Sequence, residues 1–187
     1  MSGFQKGCAC AVLVVLMAVL GLASTASAET RAFQASLTPD IAVHDRGTMI
    51  EGLSLQIWGE NPQKALSLGI VSGSTGQSSG FSWSLLANYA DSYKGVHWAF
   101  VNYTKQDFLG WQSGAINYTD QRLKGVQTGF VNYARNFKGV QLGLINFAET
   151  ADSGLQLGLG NIISENRWFK EFPNAVAPGM VFVNWRF

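Results

Sequence analysis

The sequence predicts an all-β chain. The first expectation is an antiparallel up-and-down β-barrel of about 8–10 short strands; the alternative is a β-solenoid or soluble β-barrel built from repeats of 14 or 15 residues. Three observations lead there. A phrase of strand-forming residues recurs at near-constant spacing, glycine falls in the middle of that phrase, and charged residues avoid the phrase and gather between its copies.

Residues 1–28 read as a secretory signal. Lys6 supplies a positive start, Ala11 to Leu22 is an almost unbroken apolar run, and Ala26-Ser27-Ala28 fits a small-x-small cleavage site. The apolar run is shorter than the ~20 residues a helix needs to cross a bilayer. Cleavage before Glu29 leaves 29–187 as a single repeat-built domain. Cys8 and Cys10 precede the apolar run, whereas a lipoprotein cysteine would follow it, so the mature chain is expected to carry no thiol. That excludes disulfides, a nucleophilic cysteine and cysteine metal ligands, and leaves stability to packing and backbone pairing. Charged residues make up 13% of the chain and aromatic residues 12%, the balance of a membrane or densely packed β protein. A net charge of +1 without a basic stripe gives nucleic acid no electrostatic footprint.

Segments 30–38 and 49–58 have strand composition, and the clear repeats run through 65–163. The best copies span 95–103, 110–118, 125–133, 139–147 and 154–162, each of the form Gly-x-x-x-x-x-x-Asn followed by an aromatic or aliphatic residue. Gly95, Gly110, Gly125, Gly139 and Gly154 step by 14 or 15 residues. Asn102, Asn117, Asn132, Asn146 and Asn161 keep the same step, as do Tyr103, Tyr118, Tyr133 and Phe147. A helix is a poor alternative, because mid-phrase glycines such as Gly114 and Gly129 would each cost ~1 kcal/mol against alanine. Strand alternation predicts one face with Val126, Thr128, Phe130 and Asn132, and another with Gln127, Gly129, Val131 and Tyr133. With charge confined to the connections, both faces are expected to be covered.

A last strand is expected at 180–187, where Val181, Val183, Trp185 and Phe187 alternate with other residues up to a terminal phenylalanine. This ending resembles the C-terminal strand by which bacterial outer-membrane β-barrels are recognised for assembly, and Val181, Val183, Trp185 and Phe187 are its candidate signal. Aligning Phe182-Val183-Asn184-Trp185 with Phe130-Val131-Asn132-Tyr133 places Phe187 on the face opposite the one assigned to lipid. The fixed asparagine also suits the internal ladder of a solenoid. The Gly-x-Gln-x-Gly-x-x-Asn phrases resemble a family of bacterial surface-repeat proteins, which implies export and placement in the envelope and brings no catalytic residues.

Chemistry-bearing residues are sparse. His97 takes the place held by Gln112, Gln127 and Gln141 and reads as a polar repeat side chain. His44, between Asp40 and Asp45, reads as part of a connection rather than a metal site. The run 72–80 is a glycine-serine loop without the lysine and helix of a phosphate-binding loop. No metal, cofactor or catalytic residue is expected. The expected function is a non-enzymatic outer-membrane or cell-surface β-barrel with a structural, surface-interaction or small-pore role, in contact with membrane lipid and the outer-membrane assembly machinery. The alternative is a secreted or periplasmic β-repeat protein that binds a glycan or a protein.

Overall fold

The computed structural model describes residues 29–187, so the expected signal at 1–28, with Cys8 and Cys10, lies outside the described residues. Those described form an all-β solenoid with eight strand elements: β1 (Thr30–Thr38), β2 (Ile41–Ala42), β3 (Met49–Asn61), β4 (Lys64–Trp98), β5 (Val101–Thr104), β6 (Phe108–Ser113), β7 (Ile116–Ile163) and β8 (Gly179–Arg186). β4 and β7 are long because the backbone stays extended round the corners of the coil, so each holds several successive rungs.

The antiparallel barrel is overturned by the direction of pairing. Repeat pairs with repeat in parallel and in register: Asn102 opposite Asn117, Tyr103 opposite Tyr118, Gly110 opposite Gly125, Gln112 opposite Gln127. Each unit is therefore one turn of a coil, and like residues stack along the axis. Antiparallel pairing occurs at the two ends, where β2 pairs with β1 and β8 pairs with the last turn.

The predicted division into two alternating faces is corrected as well. Gln127 and Asn132 are five residues apart, an odd interval, yet both are fully buried, and Phe130 and Val131 between them both face outward. The chain turns a corner there. The amides of Phe130 and Val131 donate to the same acceptor, the Ala115 carbonyl, at 2.9 and 3.0 Å, the two-on-one arrangement of a β-bulge. The corner shifts the alternation by one, so inward positions before it and after it have opposite parity.

Two amide ladders run through the interior. Along the first, Asn88 donates to Asn102, Asn102 to Asn117, Asn117 to Asn132, Asn132 to Asn146 and Asn146 to Asn161, at 2.8 to 3.1 Å. The second proton of most of these amides goes to a backbone carbonyl, as from Asn102 to Ser113 and from Asn117 to Thr128, both at 2.9 Å. In the second ladder Gln127 donates to Gln112, Gln141 to Gln127 and Gln156 to Gln141, at 2.7 to 2.8 Å. Asparagines donate toward the C-terminal end and glutamines toward the N-terminal end, so the two rows of amide dipoles oppose one another. Strands stack at ~4.8 Å, the repeat at which one primary amide reaches the next.

Beside the amides lies a small apolar zone in which Tyr93, Phe108, Leu123 and Phe137 face Ala90, Ala134 and Ala148. The leading glycines close the coil beneath it. Gly95, Gly110, Gly125 and Gly139 hold φ of 135 to 140°, and a Cβ at Gly110 or Gly125 would lie 1.9 Å from the carbonyl oxygen of the glycine one rung earlier. Both the dihedral and the spacing exclude any other residue.

β8 caps the stack. It runs antiparallel to the last turn, with Gln156 opposite Asn184 and Leu157 opposite Val183, so its Phe182–Trp185 stretch does not stack as another copy of 130–133. The Val181-to-Phe187 alternation breaks at Phe182, which has φ 66° and is exposed together with Val181. Phe187 has its side chain in solvent and its amide bonded to the Asn174 carbonyl.

If the amide ladder holds the rungs, Asn117→Ala strips Asn102 of an acceptor and Asn132 of a donor in a dry interior. The expected loss in urea unfolding is about 2–6 kcal/mol, from two orphaned groups at ~1–3 kcal/mol each. Exposed Gln121→Ala should change stability by less than about 0.5 kcal/mol. An Asn117→Ala protein as stable as Gln121→Ala would remove the ladder from the account.

Candidate functional site: an apolar outer face

With amides inside, the large apolar side chains of each repeat point out. The columns outside the glutamine ladder and the corner carry Trp83, Leu85, Trp98, Phe100, Trp111 and Phe130, and then Leu142, Leu144, Leu157 and Leu159 nearer the C-terminal end. Phe100, Phe130 and Leu159 are each 60% exposed or more. The expectation that both faces are covered is therefore corrected: the outer face is bare, because the two amide ladders and the small apolar zone beside them already fill the interior. Rung stacking makes these columns continuous, from Leu55 to Leu157 on the order of 35 Å at ~4.8 Å per rung.

The face is sharply bounded. No Asp, Glu, Lys or Arg occurs in 80–90, 95–104, 110–119, 125–134, 139–148 or 154–163. Its polar groups are few, and one of them, the Trp111 indole, donates to the Thr128 hydroxyl at 2.9 Å. Along one border stands the aromatic column Tyr103, Tyr118, Tyr133 and Phe147, with ring centroids 5.5, 4.4 and 5.5 Å apart and planes within 19° of parallel. Stacked this way the rings hide their faces against each other and offer only edges, which disfavours a sugar-stacking strip. Burial, with the hydrogen bond to Glu149, raises the Tyr133 phenol to about 12. Along the other border stand the exposed Lys94, Lys124 and Lys138.

Charges occupy the remaining edge and pair between rungs: Arg122 with Asp107 at 2.7 Å, and Arg135 with Asp120 at 3.0 Å. A shallow cavity of about 290 Å³ opens on this edge beside Tyr93, Phe108, Lys94 and Lys124. The Tyr93 hydroxyl is itself sealed from solvent and unpartnered.

The residues singled out in the sequence fall into distinct roles. The glycines and asparagines build the coil, the tyrosines edge the outer face, Val181, Val183 and Trp185 lie on the capping strand, and Phe187 directly follows it. His44 is tied through its backbone, its amide donating to Gln34 and its carbonyl accepting from Gln34. Among the described residues no three His, Cys, Asp or Glu side chains come together in a metal-binding cluster. His97 stands opposite Gln112, at the rung where the glutamine ladder stops. It is fully buried against Tyr93 and Phe108, with ring centroids 3.9 and 5.2 Å away and neither nitrogen hydrogen-bonded. The outer face escaped the sequence analysis, though the adjacent outward pairs Phe130-Val131 and Leu144-Ile145 were its signal. Compared with protein-family models, curated proteins and solved structures, the chain matches none.

Burial lowers the His97 imidazole to about 3, against about 6.5 in an unfolded chain. The unfolded state then binds the extra proton, so stability is complete above about pH 6.5 and falls as the pH drops toward 3, by up to ~1.4 kcal/mol per pH unit. His97→Gln should remove that slope. It should also raise neutral-pH stability by about 1–3 kcal/mol, since Gln112 gains an acceptor and the orphaned nitrogens vanish. Urea unfolding between pH 4 and 7 checks both; equal slopes in the two proteins would exclude His97 as the source.

Proposed function

We propose that this chain is an exported, non-enzymatic β-solenoid that serves as an interaction surface of the cell envelope and seats its charge-free face on lipid. The observation that carries the proposal is the segregation of charge. Apolar columns cover one side of every rung from Leu55 to Leu157, while ion-paired charges hold the other. An apolar patch of that extent marks a surface with a partner. Lipid suits it better than protein, because a protein interface carries roughly one hydrogen bond per 100–200 Å² and this face offers few polar groups beyond the indoles of Trp83 and Trp98, donors that also suit a membrane–water boundary. The borders fit too, with tyrosines on one side and lysines on the other, the residues that settle at a membrane–water boundary. Backbone groups along the stack are paired rung to rung, so contact with lipid leaves few of them unsatisfied.

Export rests on the signal expected at 1–28, and the likeness of the repeats to bacterial surface-repeat proteins supports envelope placement. The terminal strand, read from the sequence as an assembly signal, is on this view the cap that ends the stack.

Lipid vesicles should pellet the purified chain from Glu29 onward. Phe130→Glu and Leu144→Glu place a carboxylate at exposed positions, so the thermal midpoint should hold while vesicle affinity falls at least about tenfold, equivalent to ~1.4 kcal/mol. Protein that stays in the supernatant, and elutes as a dimer which these substitutions split, would reassign the face to a second copy of the chain.

A further inference from the structure

At the C-terminal end, the segment 164–178 between β7 and β8 presents three large aromatic side chains outward. Trp168, Phe169 and Phe172 are 57 to 62% exposed. A loose loop would fold such groups against the body of the protein, but this one is held open by its own bonds. Ala175, Val176 and Ala177 are buried beneath it, and the Phe169 amide donates to the Val176 carbonyl at 2.8 Å. The buried Asn166 donates to the Trp185 carbonyl at 3.1 Å, and the Trp185 indole returns a bond to the Pro173 carbonyl at 2.8 Å. Phe169 sits at φ 51°, the left-handed region that a bulky residue enters only when its surroundings impose it. The fold holds this backbone strained with the aromatic side chains in water.

The charges around them are sorted. The two acids of the segment, Glu165 and Glu171, are both paired with Arg186, at 3.2 and 2.8 Å. Arg167 and Lys170, which bracket Trp168 and Phe169, are exposed, and among the described residues neither has an ion-pair partner. The tip therefore combines exposed aromatic groups with two uncompensated cations.

We infer that this tip is a second lipid contact, selective for anionic headgroups: Trp168, Phe169 and Phe172 enter the interfacial layer while Arg167 and Lys170 meet phosphate. The inference rests on the lipid reading of the outer face and adds the class of lipid. The lysine border of the face, Lys94, Lys124 and Lys138, gives a general attraction to anionic surfaces, and the two free cations of the tip add to it a further preference of about tenfold or more.

Co-sedimentation of the Glu29–Phe187 chain with phosphatidylcholine vesicles, and with vesicles containing phosphatidylglycerol, tests it. Wild-type protein should prefer the anionic vesicles by more than about tenfold. A double variant Arg167→Gln/Lys170→Gln should lose about tenfold of that preference and keep its affinity for phosphatidylcholine. A variant Trp168→Ser/Phe169→Ser should bind both vesicles more weakly, with an unchanged thermal midpoint. If either variant behaves as wild type while Phe130→Glu abolishes binding, the tip inference fails and the outer-face reading stands. If the loop variants lose binding and Phe130→Glu does not, the outer face fails and the tip stands. Wild-type protein that pellets with neither vesicle overturns both.

Discussion

The stacking of identical amides at the rung repeat governs this molecule. An asparagine in a dry interior must find partners for a carbonyl and two N–H protons, and here the next rung and a neighbouring backbone carbonyl provide them at 2.8 to 3.1 Å. That solution works only if every turn of the coil has nearly the same length and the same corner, because a slip of one residue would bring Val131 or Tyr133 against Asn117. Length is therefore fixed at 14 or 15 residues in the regular part, and the glycines with φ near 135° absorb the geometry that no other residue can. A column of leucines would fill the same space, but any apolar neighbour satisfies a leucine, whereas each amide needs a donor or acceptor at a fixed distance and angle.

Placing amides inside dictates what lies outside. A coil of about fifteen residues has room inside for the two amide rows and one apolar column, so the other Phe, Trp, Leu and Ile side chains are turned outward on the sides that flank the amide ladders. The main apolar cluster of the interior runs along the column from Tyr93 to Ile163, under the charged edge. Hydrophobic burial in the isolated chain is thus modest, and order depends heavily on hydrogen bonds that contribute only ~1 kcal/mol each when made and more when broken. The outward apolar columns represent stabilisation that the chain leaves for a partner to supply.

Much of this was legible in the sequence, though not all for the right reason. The recurrence of Asn102, Asn117 and Asn132 exposed the unit, and the place of His97 among the glutamines was read correctly from spacing alone. Period does not carry pairing direction, however: one turn of a coil and one strand plus turn of a barrel have the same length. The discriminating fact was parity. Gln127 and Asn132 both recur as though buried, yet five residues separate them, and a flat strand cannot put both on one face. Reading alternation straight through Phe130-Val131 concealed the corner and with it the bare outer face. The opening of the 164–178 segment was not readable at all, because it depends on Asn166 and Trp185, distant in sequence and joined only by the antiparallel cap.

That cap is where repetition and its termination meet. A stack of parallel rungs has no intrinsic end: each turn offers unpaired N–H and C=O groups on which another chain can grow. β8 ends the series by reversing direction, so Asn184 arrives opposite Gln156 rather than above Asn161, and the amide ladder has no continuation. The asparagine instead turns to the Ala177 carbonyl at 2.9 Å and helps bury the segment on which the aromatic tip is built. At the other end β2 plays the same part more briefly against β1. The interaction that organises the body of the protein thus also determines how it stops, and the residues needed to break the ladder are those that hold Trp168 and Phe169 open to the surroundings.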